Sequence, residues 1–374
     1  MYSNVHVYIC RRKSLQSANC RVRRFSTPNC IRACDGRNFL TLRFGIIGAG
    51  LKAAEYARGW TAIPEVEIAA LAEIDPASRK RLSDICAAAG RPRPAEYASD
   101  KAMLEAEAKR LDAVYVSTPH VFHAANALAV IDAGLDLLLE KPMVTTVAEA
   151  RALVDAEKRS ARTIVIAYQG GLSPLVHDTI ARARRGEFGD LVSVSASIWE
   201  GWAKSYAGQW KQQPSISGGG FMFDTGAHMM NTVCLLADAE FARLSAFTNN
   251  RGLAVDLICA VAARLSNGAL VTLNAAGDGP PGCASAITFF YTRALVRIDA
   301  WGGWREVSIE GGAAVREVSE IVDTPVHTFQ AVREGRMPNP STVANGLRFA
   351  RLWDAIKDSA AGDGKPVAIE AGAT

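Results

Sequence analysis

The sequence contains no apolar run long enough to span a membrane, although 49% of its 374 residues are hydrophobic. It also lacks the cysteine and histidine spacings that are typical of a metal site or a disulfide framework. Its eight cysteines form two groups, four near the N-terminus and four that stand singly among apolar neighbours: Cys10, Cys20, Cys30 and Cys34, then Cys86, Cys234, Cys259 and Cys283. These absences argue against a membrane protein, a bound metal and a secreted disulfide scaffold, and they indicate buried thiols in a reducing compartment.

Acidic residues are nearly absent from residues 1–42, where Asp35 alone faces eight Lys and Arg residues. That segment contributes +7 to a net charge of +4, so the rest of the chain carries −3. A basic balance created by one tail is not typical of a nucleic-acid binder, and we expect no nucleic-acid partner.

The basic segment resembles an organelle transit peptide in composition, because it is rich in Arg and contains Ser. No apolar stretch follows its arginines, which argues against export. The simpler interpretation of residues 1–41 is a disordered extension or a misassigned start codon, since a clean first strand opens at Leu42. We therefore expect a cytoplasmic protein, or an organellar one if the extension is a genuine transit peptide.

The chain beyond residue 41 is long enough for two domains, and its first part alternates short apolar runs with helical stretches. Helix caps support this reading, with Asp75 before Pro76, and Thr146 and Glu149 at the spacing of a capping box. Strands are predicted at residues 42–47, 67–72, 112–117, 136–140 and 163–167. The pattern predicts an α/β, Rossmann-type dinucleotide-binding domain over residues 42–167.

Longer alternating strands follow, and they begin with Val192, Val194, Ala196 and Ile198 on one face of a strand. Further strands are predicted at residues 241–249, 257–265, 269–275, 286–291, 294–300 and 306–310. They predict an α+β domain over residues 168–342 with a large, mostly antiparallel open sheet, and a C-terminal helix within residues 343–374 that packs back on the body. Because an open face with apolar residues needs a cover, we expect a homodimer or homotetramer formed through this sheet.

The first strand runs into a glycine-rich turn of the form G-x-G-x-x-A, followed by a helix-forming segment. Gly48 permits the tight turn, Gly50 lets a pyrophosphate approach the backbone, and Ala53 lets helix and strand pack closely. Ala49 and Leu51 complete the backbone that would cradle the phosphates. Such glycines also serve plain tight turns, but the strand before and the helix after favour a dinucleotide site.

Glu73 stands where the second strand ends, in position to accept hydrogen bonds from the adenosine ribose. Its charge would repel the 2′-phosphate of NADP, and its neighbour Ile74 offers no cation. Asp75 is the rival acid, although its place as a helix cap explains it sufficiently. The sequence therefore favours NAD over NADP as the cofactor.

Two more strand ends carry polar residues, at 117–123 and 140–142, and such ends are where parallel sheets bind ligands. Lys141 follows an apolar run, so it is either a solvated loop residue or a partly desolvated cation that polarises a carbonyl. Further along, Asp224 and His228 are four residues apart after Gly218-Gly219-Gly220. On one helical face the carboxylate could orient the imidazole; the alternative is a helix cap and a core histidine.

Three motifs in this order resemble the glucose-fructose oxidoreductase/inositol dehydrogenase/rhizopine catabolism (Gfo/Idh/MocA) oxidoreductases. They are G-A-G-x-x-A at 48–53, E-K-P at 140–142 and G-G-x-x-x-D-x-G-x-H at 219–228, and the resemblance covers nearly all of the chain beyond the basic extension. It implies that Lys141 holds the substrate near the nicotinamide, that His228 is the general acid/base, and that Asp224 binds substrate and orients His228. It also implies that a group of residues lines the nicotinamide half of the cofactor site: Thr118, Pro119, His123, Glu140, Lys141 and Gln169.

The resemblance further suggests that Trp210 and Lys211 lie over the active site, as a W-R-x-x-P segment does in some members. Tyr56 and the pair Gly170-Gly171 depart from the family pattern, and the loss of a bulky residue at that pair puts the substrate in doubt. The implied function is an NAD(P)-dependent oxidoreductase for a sugar, polyol or inositol. A non-catalytic dinucleotide sensor and an NAD-dependent glycosidase-type enzyme remain alternatives, because fold does not fix function.

Overall fold

The computed structural model describes residues 22–25, 41–319 and 325–370, which form two sheets with helices packed around them. Within the basic extension, strand β1 (Val22–Phe25) joins the edge of the second sheet, although the sequence predicts disorder there. The remainder of that extension up to residue 40 lies outside the described residues.

The first sheet is entirely parallel, as the alternation of strands and helices predicts. Its strands are β2 (Leu42–Ile47), β3 (Val66–Ala72), β4 (Ala95–Tyr97), β5 (Ala113–Val116), β6 (Asp136–Leu139) and β7 (Ile164–Ile166). They lie in the order β4-β3-β2-β5-β6-β7. In this sheet the sequence indicates every strand except β4, a three-residue edge strand whose residues are exposed or half-buried and therefore show no apolar pattern.

The helices around this sheet begin where the sequence provides caps. They are α1 (Leu51–Trp60), α2 (Pro76–Ala88), α3 (Asp100–Glu107), α4 (His123–Asp132) and α5 (Val147–Ser160). Asp75 accepts hydrogen bonds from the amides of Ala77 and Ser78, and Thr146 and Glu149 form the predicted capping box. These caps fix the helix starts next to the carboxyl edge of the sheet.

An aromatic cluster joins α1 to the sheet. The ring centroids of Phe44 and Trp60 are 4.8 Å apart, and those of Trp60 and Tyr115 are 5.3 Å apart. Tyr56, which departs from the family pattern, is only 5% exposed and tilts against Tyr115 at 5.6 Å. In this chain it is thus part of the packed core.

The second sheet has ten described strands, in the order β1-β15-β14-β13-β12-β8-β11-β10-β9-β16. The members not yet introduced are β8 (Leu191–Glu200), β9 (Phe241–Asn249), β10 (Ile258–Leu265), β11 (Leu270–Ala276), β12 (Cys283–Tyr291), β13 (Ala294–Ile298), β14 (Trp304–Ile309), β15 (Val315–Ser319) and β16 (Val367–Ala368). All pairs are antiparallel except β1 with β15 and β8 with β11. This confirms the predicted fold class.

Helices cover one face of this sheet and leave the other open. The helices of this part of the chain are α6 (Gln169–Leu172), α7 (Pro174–Arg184), α8 (Trp202–Ser205), α9 (Pro214–Ser217), α10 (Phe221–Asp224), α11 (Gly226–Ala237), α12 (Pro325–Arg333) and α13 (Val343–Ala361). Of these, α12 packs on the first sheet instead. Along β8 the residues Val194, Ala196 and Ile198 are buried, as predicted, whereas Val192 is 54% exposed. Large exposed apolar residues on other strands of the sheet are Phe247, Leu270, Phe290 and Leu295.

The last two helices connect the two halves of the molecule. Phe329 of α12 packs at 5.4 Å against Phe44 in the core of the first sheet. Trp353 of α13 donates through Nε1 to the carbonyl oxygen of Gly218 at 3.2 Å, and Ser359 accepts from the amide of Ala246 at 2.8 Å. No helix in residues 22–25, 41–319 and 325–370 is long and apolar enough to cross a membrane.

Candidate active site

The glycine-rich turn lies at the carboxyl edge of the parallel sheet, between β2 and α1. Gly48 has φ +90°, and a Cβ there would stand 2.6 Å from the carbonyl oxygen of Ser117, so only glycine fits. Gly50 differs, because a Cβ would meet nothing within 4 Å. As N-cap of α1, Gly50 supplies no side-chain hydrogen bond, so the first amides of this helix are available to an anion. The turn thus fits the pyrophosphate of a dinucleotide.

Glu73 lies against this turn, in the position expected for contact with the adenosine ribose. Its Oε2 accepts from the amide of Ala49 at 2.8 Å, and its Oε1 accepts from the amide of Asp75 at 3.0 Å. The sequence offers no cation next to Glu73, but the structure brings in Arg81, which donates to the carbonyl oxygen of Ala49 at 3.0 Å. Arg81 comes from the following helix, so only the folded backbone reveals that a guanidinium lies beside the turn.

Lys141 and Asp224, far apart in sequence, meet at the centre of the site. Nζ of Lys141 donates to Oδ1 of Asp224 at 2.7 Å and to its backbone carbonyl oxygen at 3.0 Å. Oδ2 of the same carboxylate accepts from Nζ of Lys211 at 2.6 Å and from Nε1 of Trp202 at 2.9 Å. One carboxylate therefore holds two lysines, one from the strand end after β6 and one from the loop before α9.

The charge of Asp224 is stabilised although the residue is only 2% exposed. Burial opposes its ionisation, but the ammonium groups of Lys141 and Lys211 outweigh burial and hold the pKa of this carboxyl well below its ordinary value. The carboxylate therefore stays charged and keeps both lysines in place.

His228 lies close to these groups but is not hydrogen-bonded to Asp224 among the described contacts, which corrects the expectation that the carboxylate orients the ring. Its side chain is buried, and Nδ1 has no hydrogen-bond partner in the described part of the chain. Burial, reinforced by the charge of Lys141, lowers the pKa of His228 well below its ordinary value. The ring is therefore neutral near pH 7 and able to accept a proton.

A break between two helices explains this arrangement. α10 ends at Asp224 and α11 begins at Gly226, while the amide of His228 bonds to the carbonyl oxygen of Thr225 at 3.2 Å. The carbonyl oxygen of Asp224 is taken by Lys141 instead. The four-residue spacing thus does not place the two side chains face to face on one continuous helix.

His120 is a site residue that the sequence analysis missed. Its ring is buried, with Nδ1 2.7 Å from the carbonyl oxygen of Ser217 and Nε2 4.0 Å from Oδ1 of Asp224. It packs edge-on against Trp210 at 4.8 Å, and burial lowers its pKa well below the ordinary value. The signal is present in the strand end at 117–123, from which the sequence marks Thr118, Pro119 and His123 but not His120.

The remaining predicted residues support the loops at the carboxyl edge. The ring nitrogens of His123 lie 2.8 Å from the carbonyl oxygen of Pro142 and 2.9 Å from that of Thr118, so this side chain ties the two strand ends together. Glu140 accepts from the hydroxyl of Tyr115 at 2.8 Å and from the amide of Lys141 at 3.1 Å.

Four further predicted residues lie at helix starts and at the segment that follows β5. Leu51 opens α1 and is 67% exposed. Gln169 opens α6, and Pro119 precedes a short 3-10 turn. The hydroxyl of Thr118 donates to Oδ1 of Asn126 at 2.9 Å. Among the described residues no group of three or more His, Cys, Asp or Glu side chains could hold a metal ion.

Two family models match the chain. The model described as "Oxidoreductase family, NAD-binding Rossmann fold" matches residues 42–168, and the "GFO/IDH/MocA C-terminal domain" matches residues 179–297. Together they span the glycine-rich turn, Lys141, Asp224 and His228.

Curated relatives match the chain at low identity. A "Glycosyl hydrolase family 109 protein" of Streptomyces coelicolor is 28% identical over 155 residues, which are 41% of this chain and 33% of that protein. The D-xylose 1-dehydrogenase (NADP(+)) of Haloarcula marismortui is 26% identical over 212 residues, 53% of this chain and 55% of that protein. The matched segments thus span about a third to just over half of these relatives' lengths.

Solved structures show the same fold over most of the chain. Levoglucosan dehydrogenase in complex with NADH and levoglucosan matches with a TM-score of 0.76 at 20% identity, covering 88% of this chain and 99% of that one. The aldose-aldose oxidoreductase from Caulobacter crescentus in complex with glycerol matches with a TM-score of 0.74 at 21% identity, covering 88% and 100%.

Proposed function

Because the chain belongs to the Gfo/Idh/MocA oxidoreductase family, we propose that it transfers a hydride between a nicotinamide dinucleotide and a sugar, polyol or inositol-like substrate. The observation that carries this proposal is the juxtaposition of Lys141, Asp224 and neutral His228 beside a turn with room for a pyrophosphate at Gly50. A purely structural cluster would have no need of a buried histidine with an unpartnered Nδ1.

The residues of the chain divide the chemistry between them. His228 accepts the proton of the reacting hydroxyl when the substrate is oxidised and returns it when a carbonyl is reduced. Lys141 stabilises the negative charge that develops on the same oxygen. Asp224 holds Lys141 and Lys211 in position through its two carboxylate oxygens. Bound NAD would supply the hydride acceptor.

NAD is the favoured cofactor, because the carboxylate of Glu73 stands at the adenosine end of the turn and would repel a 2′-phosphate. Arg81 beside Ala49 weakens that preference, and a relative's name includes NADP(+), so both cofactors belong in the test. A sensor without catalysis is less well supported, since a sensor needs neither Lys141 nor His228 in these positions.

The test follows nicotinamide absorbance while wild-type protein and Lys141→Ala are assayed with NAD and NADP against aldoses, polyols, inositols and keto-sugars. We expect turnover by the wild type and none above background by the variant. Binding of NADH with no turnover of any compound, by a protein whose pyrophosphate turn is intact, would favour the sensor.

A glycosidase-type reaction through transient oxidation is the second candidate, because several relatives carry the name "Glycosyl hydrolase family 109 protein". It would use the same Lys141 and His228 with a retained cofactor. Release of nitrophenol from nitrophenyl glycosides, with no net change in nicotinamide absorbance, distinguishes it from a dehydrogenase.

We also propose that the open face of the second sheet forms a homodimer or homotetramer. Leu270, Phe290 and Leu295 expose 55%, 40% and 42% of their surface there, which is costly unless a second copy covers it. Light scattering at micromolar concentration tests this, and a monomer would contradict it.

For the location of the protein in the cell we propose the cytoplasm, or an organelle if residues 1–41 act as a transit peptide. Imaging of a full-length fluorescent fusion, with and without those residues, would decide between them.

A further inference from the structure

Trp301 lies beside His228, although nothing in the sequence marked it as a site residue. The ring centroids of the two residues are 5.8 Å apart, with an interplanar angle of 49°. The histidine is buried, whereas Trp301 is half-buried and keeps part of its indole accessible. An aromatic side chain therefore borders the group that handles the proton.

The loop that carries Trp301, residues 299–303 between β13 and β14, is held rigidly. Oδ1 of Asp299 accepts from the amide of Gly303 at 2.6 Å, so the loop closes on its own carboxylate. Hydrogen bonds from neighbouring helices fix two of its carbonyl oxygens: Thr232 to Ala300 at 2.8 Å and Ser173 to Gly302 at 2.7 Å. Trp301 lies between these two anchored residues, so its backbone is fixed on both sides.

Gly170, one of the departures from the family pattern, permits this close approach. A Cβ at Gly170 would stand 2.2 Å from Oγ1 of Thr232 and 2.5 Å from the carbonyl oxygen of Ala300. Any larger residue would push the loop away. Glycine at position 170 therefore allows the loop to pack closely enough for Trp301 to contact His228.

We propose that Trp301 forms an apolar wall of the substrate site and that the substrate is a ring compound, a pyranose or a cyclitol, whose C–H face lies on the indole. This rests on the proposed function. The face of an aromatic ring carries negative charge density, and the C–H groups on one face of a sugar ring present an apolar, weakly positive surface. An open-chain polyol cannot keep such a face flat without losing conformational freedom. The hydroxyls at the ring edge would remain for Lys141 and His228.

The test compares wild type, Trp301→Phe and Trp301→Ala on ring and open-chain substrates. Trp304→Ala is the matched control, because Trp304 stands three residues away on β14 and its ring lies 4.6 Å from the guanidinium carbon of Arg316. We expect Trp301→Ala to raise KM for myo-inositol and pyranoses by about tenfold while kcat changes much less, which corresponds to about 1.4 kcal/mol of lost contact. Trp301→Phe should keep most of the affinity, and KM for xylitol or sorbitol should not move.

An equal rise in KM for ring and open-chain compounds would overturn the proposal, as would an unchanged KM for rings in Trp301→Ala. Gly170→Ala provides a second variant, which should displace the loop and reproduce the ring-selective loss. The proposed function can fail separately. If no compound is turned over, calorimetry can still measure the binding of myo-inositol and pyranoses to the NADH-loaded protein. Binding that is lost in Trp301→Ala would support the proposal that Trp301 forms a wall of the substrate site. No binding by the wild type would refute that proposal.

Discussion

Nζ of Lys141 lies 2.7 Å from Oδ1 of Asp224 and 3.0 Å from the backbone carbonyl oxygen of the same residue. This double contact joins the end of β6 in the first sheet to the end of α10 beside the second. It also takes the carbonyl oxygen that would otherwise receive the amide of His228 in a continuous helix. In the structure the amide of His228 bonds to the carbonyl oxygen of Thr225 instead, whereas the sequence suggested a carboxylate acting on the ring.

Replacing Lys141 by alanine should lower kcat sharply and leave cofactor binding intact. The ammonium group stabilises charge on the reacting oxygen, and losing such a group typically costs about 10²–10³-fold in kcat. Steady-state kinetics and NADH titration by fluorescence measure the two effects. Lys158→Ala, an exposed lysine on α5, is the control and should retain wild-type activity. Equal activity of the two variants would remove Lys141 from the mechanism.

Replacing Asp224 by asparagine should destabilise the fold as well as lower activity, because two partly buried ammonium groups would lose their common counter-charge. Removing one partner of a buried ion pair costs about 3–5 kcal/mol. The double variant Asp224→Asn with Lys211→Met should recover part of this loss. Urea denaturation measures the free energy of unfolding of these variants. The exposed Arg184–Asp238 pair is the reference, and Asp238→Asn should lower that free energy by less than about 1 kcal/mol. A loss for Asp224→Asn no larger than that reference would contradict the prediction.

The parallel sheet and the cofactor turn could be predicted because each rests on local signals. Apolar runs of strand length, Asp75 as a cap and the two glycines at 48 and 50 act over a few residues, and the structure has them where the sequence indicated. Lys141 and Asp224 were each singled out by motif. Their contact follows from the fold, because the end of α10 lies against the carboxyl edge of the parallel sheet, where β6 ends.

The residues that sequence reasoning missed depend on contacts between distant segments. Trp301 reaches His228 only because Gly170 leaves space for a loop more than a hundred residues later. Arg81 approaches Ala49 across the turn from a separate helix. The expected pairing of Asp224 with His228 was wrong because a spacing of four implies one face only on an uninterrupted helix, and α10 ends at Asp224.

The two glycines of the cofactor turn should respond differently to alanine. Gly48→Ala places a Cβ 2.6 Å from a backbone oxygen at φ +90° and should destabilise the protein by more than about 1 kcal/mol. Gly50→Ala meets nothing within 4 Å, so stability should fall by less than about 1 kcal/mol. Its methyl group would stand where the pyrophosphate approaches, so Kd for NADH should rise at least about tenfold. Thermal unfolding of both variants measures the loss of stability, and titration with NADH measures the change in Kd. Unchanged NADH affinity in Gly50→Ala would place the cofactor elsewhere.

The rate of oxidation should not change with pH in the range where a solvated histidine titrates, because His228 is the base. Burial, reinforced by the charge of Lys141, lowers the pKa of His228 well below its ordinary value, so the ring loses its proton at a lower pH than a solvated histidine does. The acid limb of kcat/KM for oxidation should therefore lie below pH 6.5, and His228→Asn should lower kcat by about 10²–10⁴-fold. A pH–rate profile measures the limb. A midpoint at or above pH 6.5 that disappears in His228→Asn would show a charged, solvated ring in the working enzyme.

Asp299, whose carboxylate closes the loop of Trp301, should make stability depend on pH in the opposite sense from an ordinary ion-paired acid. Burial raises its pKa from 3.8 to about 6, although backbone amides, Gly303 among them, oppose the shift. The folded state therefore binds the proton more tightly than the unfolded chain. The resulting stabilisation is complete below pH 3.8 and is lost as pH rises through about 6.

Asp299→Asn isolates that effect, because it keeps an acceptor for the Gly303 amide and removes the titration. The unfolding free energy of wild type minus that of the variant should fall by about 1–3 kcal/mol between pH 4 and pH 7, since two pKa units correspond to roughly 3 kcal/mol at most. Urea denaturation across this range gives the difference, and any constant cost of the substitution cancels from its pH dependence. A difference that rises with pH would mean that the amides outweigh burial, and the loop would then be stabilised by the charged carboxylate.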